Sequence, residues 1–401
     1  MDTNERNLMD ASFISDMLAK NSYVNSFFYK HWKNAATQNA VTISRRMRND
    51  DSIADISTLR KLRQEVESGR TWIPGDINVA NSLNYGIKHA LFPFDDNHIQ
   101  RPSIEHGLIF YEDVFQDVLH TASMACATMA PFRSTIIQAK RQIPVFAVGP
   151  YIQYAKPFYD ERKAASYKQK HGKILLVFPA HSTDLSSISF DEGSYIDLVK
   201  GYAKNFDTVC ICSFWWNIND SLIQKFESEG FKIVSAGFRD DISFLSRLRT
   251  ILETADLVIG NNIGTHIGYC HCLGVPFELV DIKSHEETSS PKEMLNTDIR
   301  KKRFDEIKQA LHSNDSSAIN RCMAFYWGSN ISRTSHERMV MCEITTDLLE
   351  ETKGFFSRIP EVSSKLLNKY HSSGSITHST LLEEAIQHLP SAKRHKRPIS
   401  N

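Results

Sequence analysis

The residues best suited to chemistry lie between Ala255 and Pro276, in the run ADLVIGNNIGTHIGYCHCLGVP. Asp256 to Gly260 has the short apolar character of a buried parallel strand. The run breaks at Asn261, Asn262 and Gly264, and Thr265 to Cys272 then predicts a helix stopped by Gly274 and Pro276. Such a junction aims unpaired backbone N–H groups and the positive end of the helix dipole at one point, where a phosphate would sit. Thr265 and His266 stand at the helix start, able to reach the same anion. The plainer reading is an α/β crossover in which Asn and Thr only cap a helix. The gathering of polar and glycine residues at one strand end favours the phosphate reading.

Two further strand ends point to the same rim. One carries His181, Ser182 and Thr183, and the other carries Gly237, Phe238, Arg239 and Asp240. Loops are polar in any protein, but in an open parallel sheet ligands bind beyond the carboxyl ends of the strands. The first half offers Glu105-His106-Gly107, where a carboxylate beside an imidazole suits acid–base work. Taken alone, that His is as well explained by a surface turn. Gly149-Pro150-Tyr151, followed by Asp160 and Glu161, adds two carboxylates near a domain junction. Cys270-His271-Cys272 has the residue types of a metal site, but adjacent helical residues point in different directions, so core thiols are expected and no metal. There is no Walker A run, HExxH, GxSxG or GxGxxG, which removes kinases, zinc proteases, serine hydrolases and ordinary dinucleotide oxidoreductases from the front rank.

These residues need elements to hold them. Residues 1 to about 70 read as helical and charged. From about 75 to 155, strands at Ile104–Phe110 and Ile143–Val148 flank a helical pattern from Val114 to Met129. Tyr159 to Gly172, charged and polar, reads as the connection between domains. Strands are then expected at Lys173–Phe178, Thr208–Cys212, Phe231–Ser235, Asp256–Gly260 and Phe277–Val280. Helices are expected at Gly193–Asn205, Asp220–Glu229 and Phe244–Thr254, as well as the one opened by Thr265. This alternation predicts an α/β protein with a parallel, doubly wound sheet. From Asp298 the pattern turns helical, as in tails that pack back across a first domain. The resulting division is 1–158, 173–300, 301–390 and a basic tail at 391–401.

The chain has 401 residues, enough for two domains, and 41% of them are hydrophobic. Lys+Arg and Asp+Glu both number 47, which gives no charge argument for nucleic acid. The polar start and the lack of a long apolar run predict neither a signal peptide nor a transmembrane span. Seven cysteines without CxxC spacing fit reduced thiols in the cytoplasm. The basic end, Lys393 to Arg397, is a solvated tail or linker, or a contact with anionic lipid.

A His-Gly turn, a Gly-Pro turn after a strand, a linker and then Lys-Ile-Leu-Leu-Val-Phe-Pro opening a second sheet together resemble the bacterial GT-B glycosyltransferases of surface polysaccharide assembly. The resemblance spans about residues 100 to 280. It implies two Rossmann-like domains with a helical N-terminal region and C-terminal helices packing back. It also implies a nucleotide-sugar donor as substrate, no cofactor and a lipid-linked glycan acceptor at the inner face of the cytoplasmic membrane. Many such enzymes carry a ribose-binding Glu five residues before the Gly of Gly-x-Pro, and Tyr269 stands there. That departure turns the resemblance toward transferases of CMP-linked ulosonic acids (Kdo, sialic acid), whose single phosphate Ser182, Thr183, Thr265 and His266 would hold. Glu105 or His106 would be the base of an inverting reaction, and Asp160, Glu161 or Asp240 the nucleophile of a retaining one. UDP- or GDP-hexose transfer, nucleotide-sugar 2-epimerisation and non-catalytic glycan assembly are the competing readings.

Overall fold

The computed structural model describes residues 53, 56–68, 84–93, 101–105, 107–110, 112, 114, 118, 123–182, 186–239, 241–288, 298–313 and 315–389. His106, Thr183, Asp240, the N-terminal region before residue 53 and the basic tail therefore lie outside the described residues. Three short parallel strands form the first sheet: β1 (Ser103–Ile104), β2 (Cys126–Thr128) and β3 (Val145–Ala147), in that spatial order. Helix α1 (Ile56–Glu67) and α2 (Ile87–Leu91) precede this sheet, and α3 (Pro131–Arg141) lies between β2 and β3.

After α4 (Glu161–His171) the second sheet begins. Its strands are β4 (Ile174–Phe178), β6 (Thr208–Cys212), β7 (Lys232–Val234), β8 (Leu257–Gly260) and β9 (Phe277–Leu279). All are parallel, ordered β7-β6-β4-β8-β9. Counted along this half of the chain, the order is third, second, first, fourth, fifth. The chain starts at the central strand, winds to one edge, then returns to build the other side. The switch point falls between β4 and β8, where the strand order opens a crevice at the carboxyl ends. Leu175, Leu176 and Val177 of β4 and Val258 and Ile259 of β8 are buried, as strands covered on both faces require. The crossovers are α5 (Glu192–Ala203), α6 (Ser221–Ser228), α7 (Phe244–Glu253) and α8 (Thr265–Leu273).

An antiparallel pair stands apart from this sheet, β5 (Ser186–Phe190) with β10 (Ser284–Thr288). Among the described residues five α-helices then follow: α9 (Asp298–His312), α10 (Ser316–Trp327), α11 (Ser335–Thr352), α12 (Ile359–Ser373) and α13 (Ile376–Ile386). The last of them packs back on the first sheet, α13 against β3, while α9 lies against β9 of the second sheet. Gln138 on α3 donates to the Ala385 carbonyl (2.6 Å) and accepts from the His388 N–H (2.8 Å), and Arg333 donates to the Ala147 carbonyl (3.0 Å). Two glycines make the close approach feasible. A Cβ on Gly149 would lie 2.1 Å from the Ile331 oxygen, and one on Gly268 would lie 2.0 Å from Trp327 Cδ1. Trp327 thus seats α10 directly against α8, the helix that follows the Asn261–Gly264 loop.

Three expectations need correction. The stretch Val114–Met129 is not a helix throughout, because its end forms β2. Ala125, Cys126 and Ala127 are fully buried, and a run of small residues in a central strand has the same apolar signature as a buried helix. The strand expected over Ile104–Phe110 is confined to Ser103–Ile104. Tyr159–Gly172 is not an open linker but contains α4. No α4 side chain is buried, so the helix carries no apolar stripe by which a sequence pattern could reveal it.

Candidate functional site

Side by side at the switch point, the β4 and β8 strand ends are tied together by Asn261, whose Oδ1 accepts from the Ala180 N–H at 2.7 Å. This bond fixes the β4 loop over the start of α8. Gly264 caps α8 with extended backbone and no side-chain hydrogen bond, so the first N–H groups of the helix lack an intrahelical partner. They face a cavity of about 300 Å³ lined by Asn262, Gly264, Thr265 and His266 together with Phe178 and His181. Tyr85 and Gly107, from before the second sheet, line its other side, as do Phe214 and Phe244. The cavity therefore lies between the two halves of the chain. Among the described residues its lining includes no Lys, Arg, Asp or Glu.

His266 is held tightly. Its ring stacks on Phe178 at 4.7 Å with the planes 6° apart and meets Phe277 edge-on at 5.5 Å. Hypothetical Cβ atoms on Gly260 and Gly264 would sit 3.1 Å and 3.0 Å from its two nitrogens, so the ring needs both glycines for room. Burial, with a smaller contribution from nearby His181, lowers its pKa to about 3. The imidazole is neutral at pH 7. Its Nε2, like Nδ2 of Asn261, is buried without a hydrogen-bond partner.

His181 has a different setting. Its ring lies 4.9 Å from Phe214, and it lines both this cavity and a second one beyond β6. Desolvation pulls its pKa below the usual imidazole value, partly offset by a hydrogen bond to the Pro179 backbone. Cys212 also borders both cavities, but burial pushes its thiol up to about 12, which makes it a poor nucleophile.

Of the sequence-predicted phosphate residues, Asn262, Gly264, Thr265, His266 and His181 line the first cavity, and Asn261 braces it from behind. Ser182 lines the second cavity instead, accepting from the Ile188 N–H at 3.0 Å. Phe238 is a core side chain, 1% exposed and packed edge-on against Trp215. Gly237 adopts φ 97° and is not in the lining, whereas its neighbour Ala236 is. Arg239 contributes its backbone carbonyl, which accepts from the Tyr85 N–H at 2.6 Å.

The expected carboxylates stand elsewhere. Glu105 is 2% exposed and gripped by Arg133, with N···O distances of 2.5 to 3.1 Å. Thr128 also donates to it at 2.8 Å. A carboxylate satisfied in this way fastens β1 to β2 and α3 rather than facing the cavity. Asp160 is the N-cap of α4, accepting from the Lys163 N–H at 2.8 Å, and Glu161 is exposed in the first turn. Among the described residues no group of three His, Cys, Asp or Glu is placed to hold a metal, and no helix is long and apolar enough to cross a membrane.

Sequence reasoning passed over the end of β6, where Ser213, Phe214 and Asn217 reach the rim. An aromatic run directly after a predicted parallel strand, Phe214-Trp215-Trp216, was the available signal. Tyr85 was also missed. It sits at φ 53°, outside the usual range for a non-glycine residue, and its ring packs edge-on against Phe244 at 4.9 Å. No family model matches this chain, and comparison with curated proteins and with solved structures finds no match either.

Proposed function

We propose that this protein is a glycosyltransferase that takes its sugar from a nucleotide-activated donor, with a CMP-linked ulosonic acid as the favoured donor. The observation that carries this reading is the N-terminus of α8 opening into a cavity at the topological switch point. One helix terminus with Thr265 and, among the described residues, no lining Lys or Arg suits a single phosphate better than a pyrophosphate. Phe178, Phe214 and Tyr85 supply flat apolar surface for a pyrimidine ring. The orphaned Nε2 of His266, a residue of the cavity lining, is a group that a bound ligand would satisfy.

In such a reaction the phosphate leaves as an anion, and the α8 N–H groups and Thr265 stabilise the charge as it develops. His266 contributes shape and hydrogen bonding rather than charge. His181 borders both cavities and is neutral at pH 7, so it takes the acceptor hydroxyl's proton, the role that the sequence pattern suggested for Glu105 or His106. The acceptor in this reading is a lipid-linked bacterial surface glycan, met at the inner face of the cytoplasmic membrane. A donor site between two α/β units, both Rossmann-like in this reading, allows domain closure to exclude water.

Calorimetric titration with CMP, CDP, UDP and GDP tests the proposal. Binding of CMP alone, weakened about tenfold or more in Thr265→Val, supports it. Binding of UDP or GDP moves the donor to an ordinary nucleotide hexose, and no binding of any nucleotide refutes the phosphate site. His181→Ala should retain CMP affinity and lose transfer by about 10²-fold or more; unimpaired transfer would remove the histidine from the chemistry.

A further inference from the structure

Beyond His181 and Phe214 lies a second cavity, of about 410 Å³, that the nucleotide reading does not use. Its floor is the end of β6 and the short turn Trp215–Asn217, and its far wall is the start of α6. The β5 strand forms the remaining side, with the half-buried Ile188 and Phe190 on its inner face and Ser189 between them on the outer one, and pairing with β10 and the Ser182 bond to Ile188 hold that strand in place.

This lining differs from the first cavity's in carrying carboxylates. Asn217 is 8% exposed, and its Nδ2 donates to Asp220 at 2.7 Å while its Oδ1 is buried with no partner. An orphaned acceptor on a residue that lines a cavity calls for a donor. Asp220 and Glu192 add two carboxylates, one of them paired with Lys225 at 2.6 Å, and no Lys or Arg lines the cavity among the described residues. Ser213 and Ser221 add hydroxyls, and Phe190 and Phe214 supply apolar ring faces. Phosphate and carboxylate ligands are repelled by such a lining. A ligand rich in hydroxyl donors, with apolar C–H faces and no negative charge, matches every part of it.

We infer that this cavity is a binding subsite for a neutral, polyhydroxylated sugar residue. Asn217 Oδ1 and Asp220 accept its hydroxyls and Phe190 or Phe214 packs against its ring. The subsite stands on its own lining. Its assignment to the acceptor side of a transfer, across His181 from the departing phosphate, rests on the nucleotide reading of the neighbouring cavity.

The test is saturation-transfer NMR on the full chain. The probes are methyl glycosides of glucose, galactose, mannose and N-acetylglucosamine, with Kdo as the charged comparison and CMP binding measured in parallel. Neutral glycosides should bind, Kdo should bind at least tenfold more weakly, and Asp220→Asn should lower glycoside affinity at least tenfold. Ile188→Trp fills the cavity from the half-buried face of β5 and is a second variant that does not disturb the Asn217–Asp220 pair. It should abolish glycoside binding and leave CMP binding intact. Glycoside binding without CMP binding would uphold the subsite and defeat the transferase reading. CMP binding with no glycoside bound at concentrations up to about 50 mM would overturn the subsite and leave that reading standing. Kdo binding as well as the neutral sugars, or unchanged glycoside binding in both variants, would also overturn it.

Discussion

Replacing His266 with phenylalanine keeps an aromatic ring over Phe178 and removes the titrating nitrogens, which isolates the effect of burying this imidazole. In the folded chain its pKa is lowered to about 3, chiefly by burial, against an ordinary value of 6.5. Between those values the unfolded chain binds a proton that the folded chain does not, so stability rises with pH across this window. The contribution is fully present above pH 6.5 and is lost progressively as pH falls toward 3. From pH 7 to pH 5 the unfolded histidine goes from mostly neutral to mostly charged, which corresponds to about 2 kcal/mol of lost stability at 1.36 kcal/mol per pKa unit. Urea denaturation of wild type and His266→Phe at pH 7 and pH 5 reads the difference directly, because the other histidines are common to both chains. The wild type should lose about 2 kcal/mol more than the variant over that interval. Equal losses, or an NMR titration placing the His266 ring near pH 6 in the folded protein, would refute the buried neutral assignment.

Three other outcomes follow from the packing. Gly268→Ala gains about 1 kcal/mol of helix propensity but places a Cβ 2.0 Å from Trp327 Cδ1, so the clash should dominate, with a net loss of about 2 kcal/mol in denaturant melts. No loss would mean that α10 does not press on α8. Glu105→Gln leaves Arg133 buried without its carboxylate and should destabilise by about 3–5 kcal/mol in urea titration. A well-folded variant that has lost only turnover would return Glu105 to the catalytic list. Asp160→Ala removes the α4 N-cap and should cost about 1 kcal/mol with nucleotide affinity unchanged. A stable variant unable to bind donor would contradict the capping role.

Most of the second sheet was legible in the chain itself. Its strands are short and apolar, its helices have buried stripes, and Gly274 ends α8 in the left-handed conformation expected of a C-cap. Local pattern suffices there because each element buries its own face. The first sheet was less legible, since Cys126-Ala127-Thr128 carries no periodicity and only its neighbours β1 and β3 make it a strand. The β5–β10 pair joins segments nearly a hundred residues apart and has no local signature.

The site divides in the same way. That Asn262, Gly264 and Thr265 stand where a helix start opens follows from the strand–loop–helix pattern alone, because backbone N–H groups at a helix start point along its axis whatever surrounds them. The state of a side chain is set by what packs on it. Glu105 and Asp160 have the composition of catalytic carboxylates, yet one is gripped by Arg133 and the other caps a helix. The aromatic sandwich of Phe178 and Phe277 makes His266 a neutral ring rather than a cation. Sequence by itself determined where the helix start opens, through local backbone geometry. Only the tertiary structure decided which ionisable groups face that opening and in what charge state, because desolvation and pairing depend on residues far away in the chain.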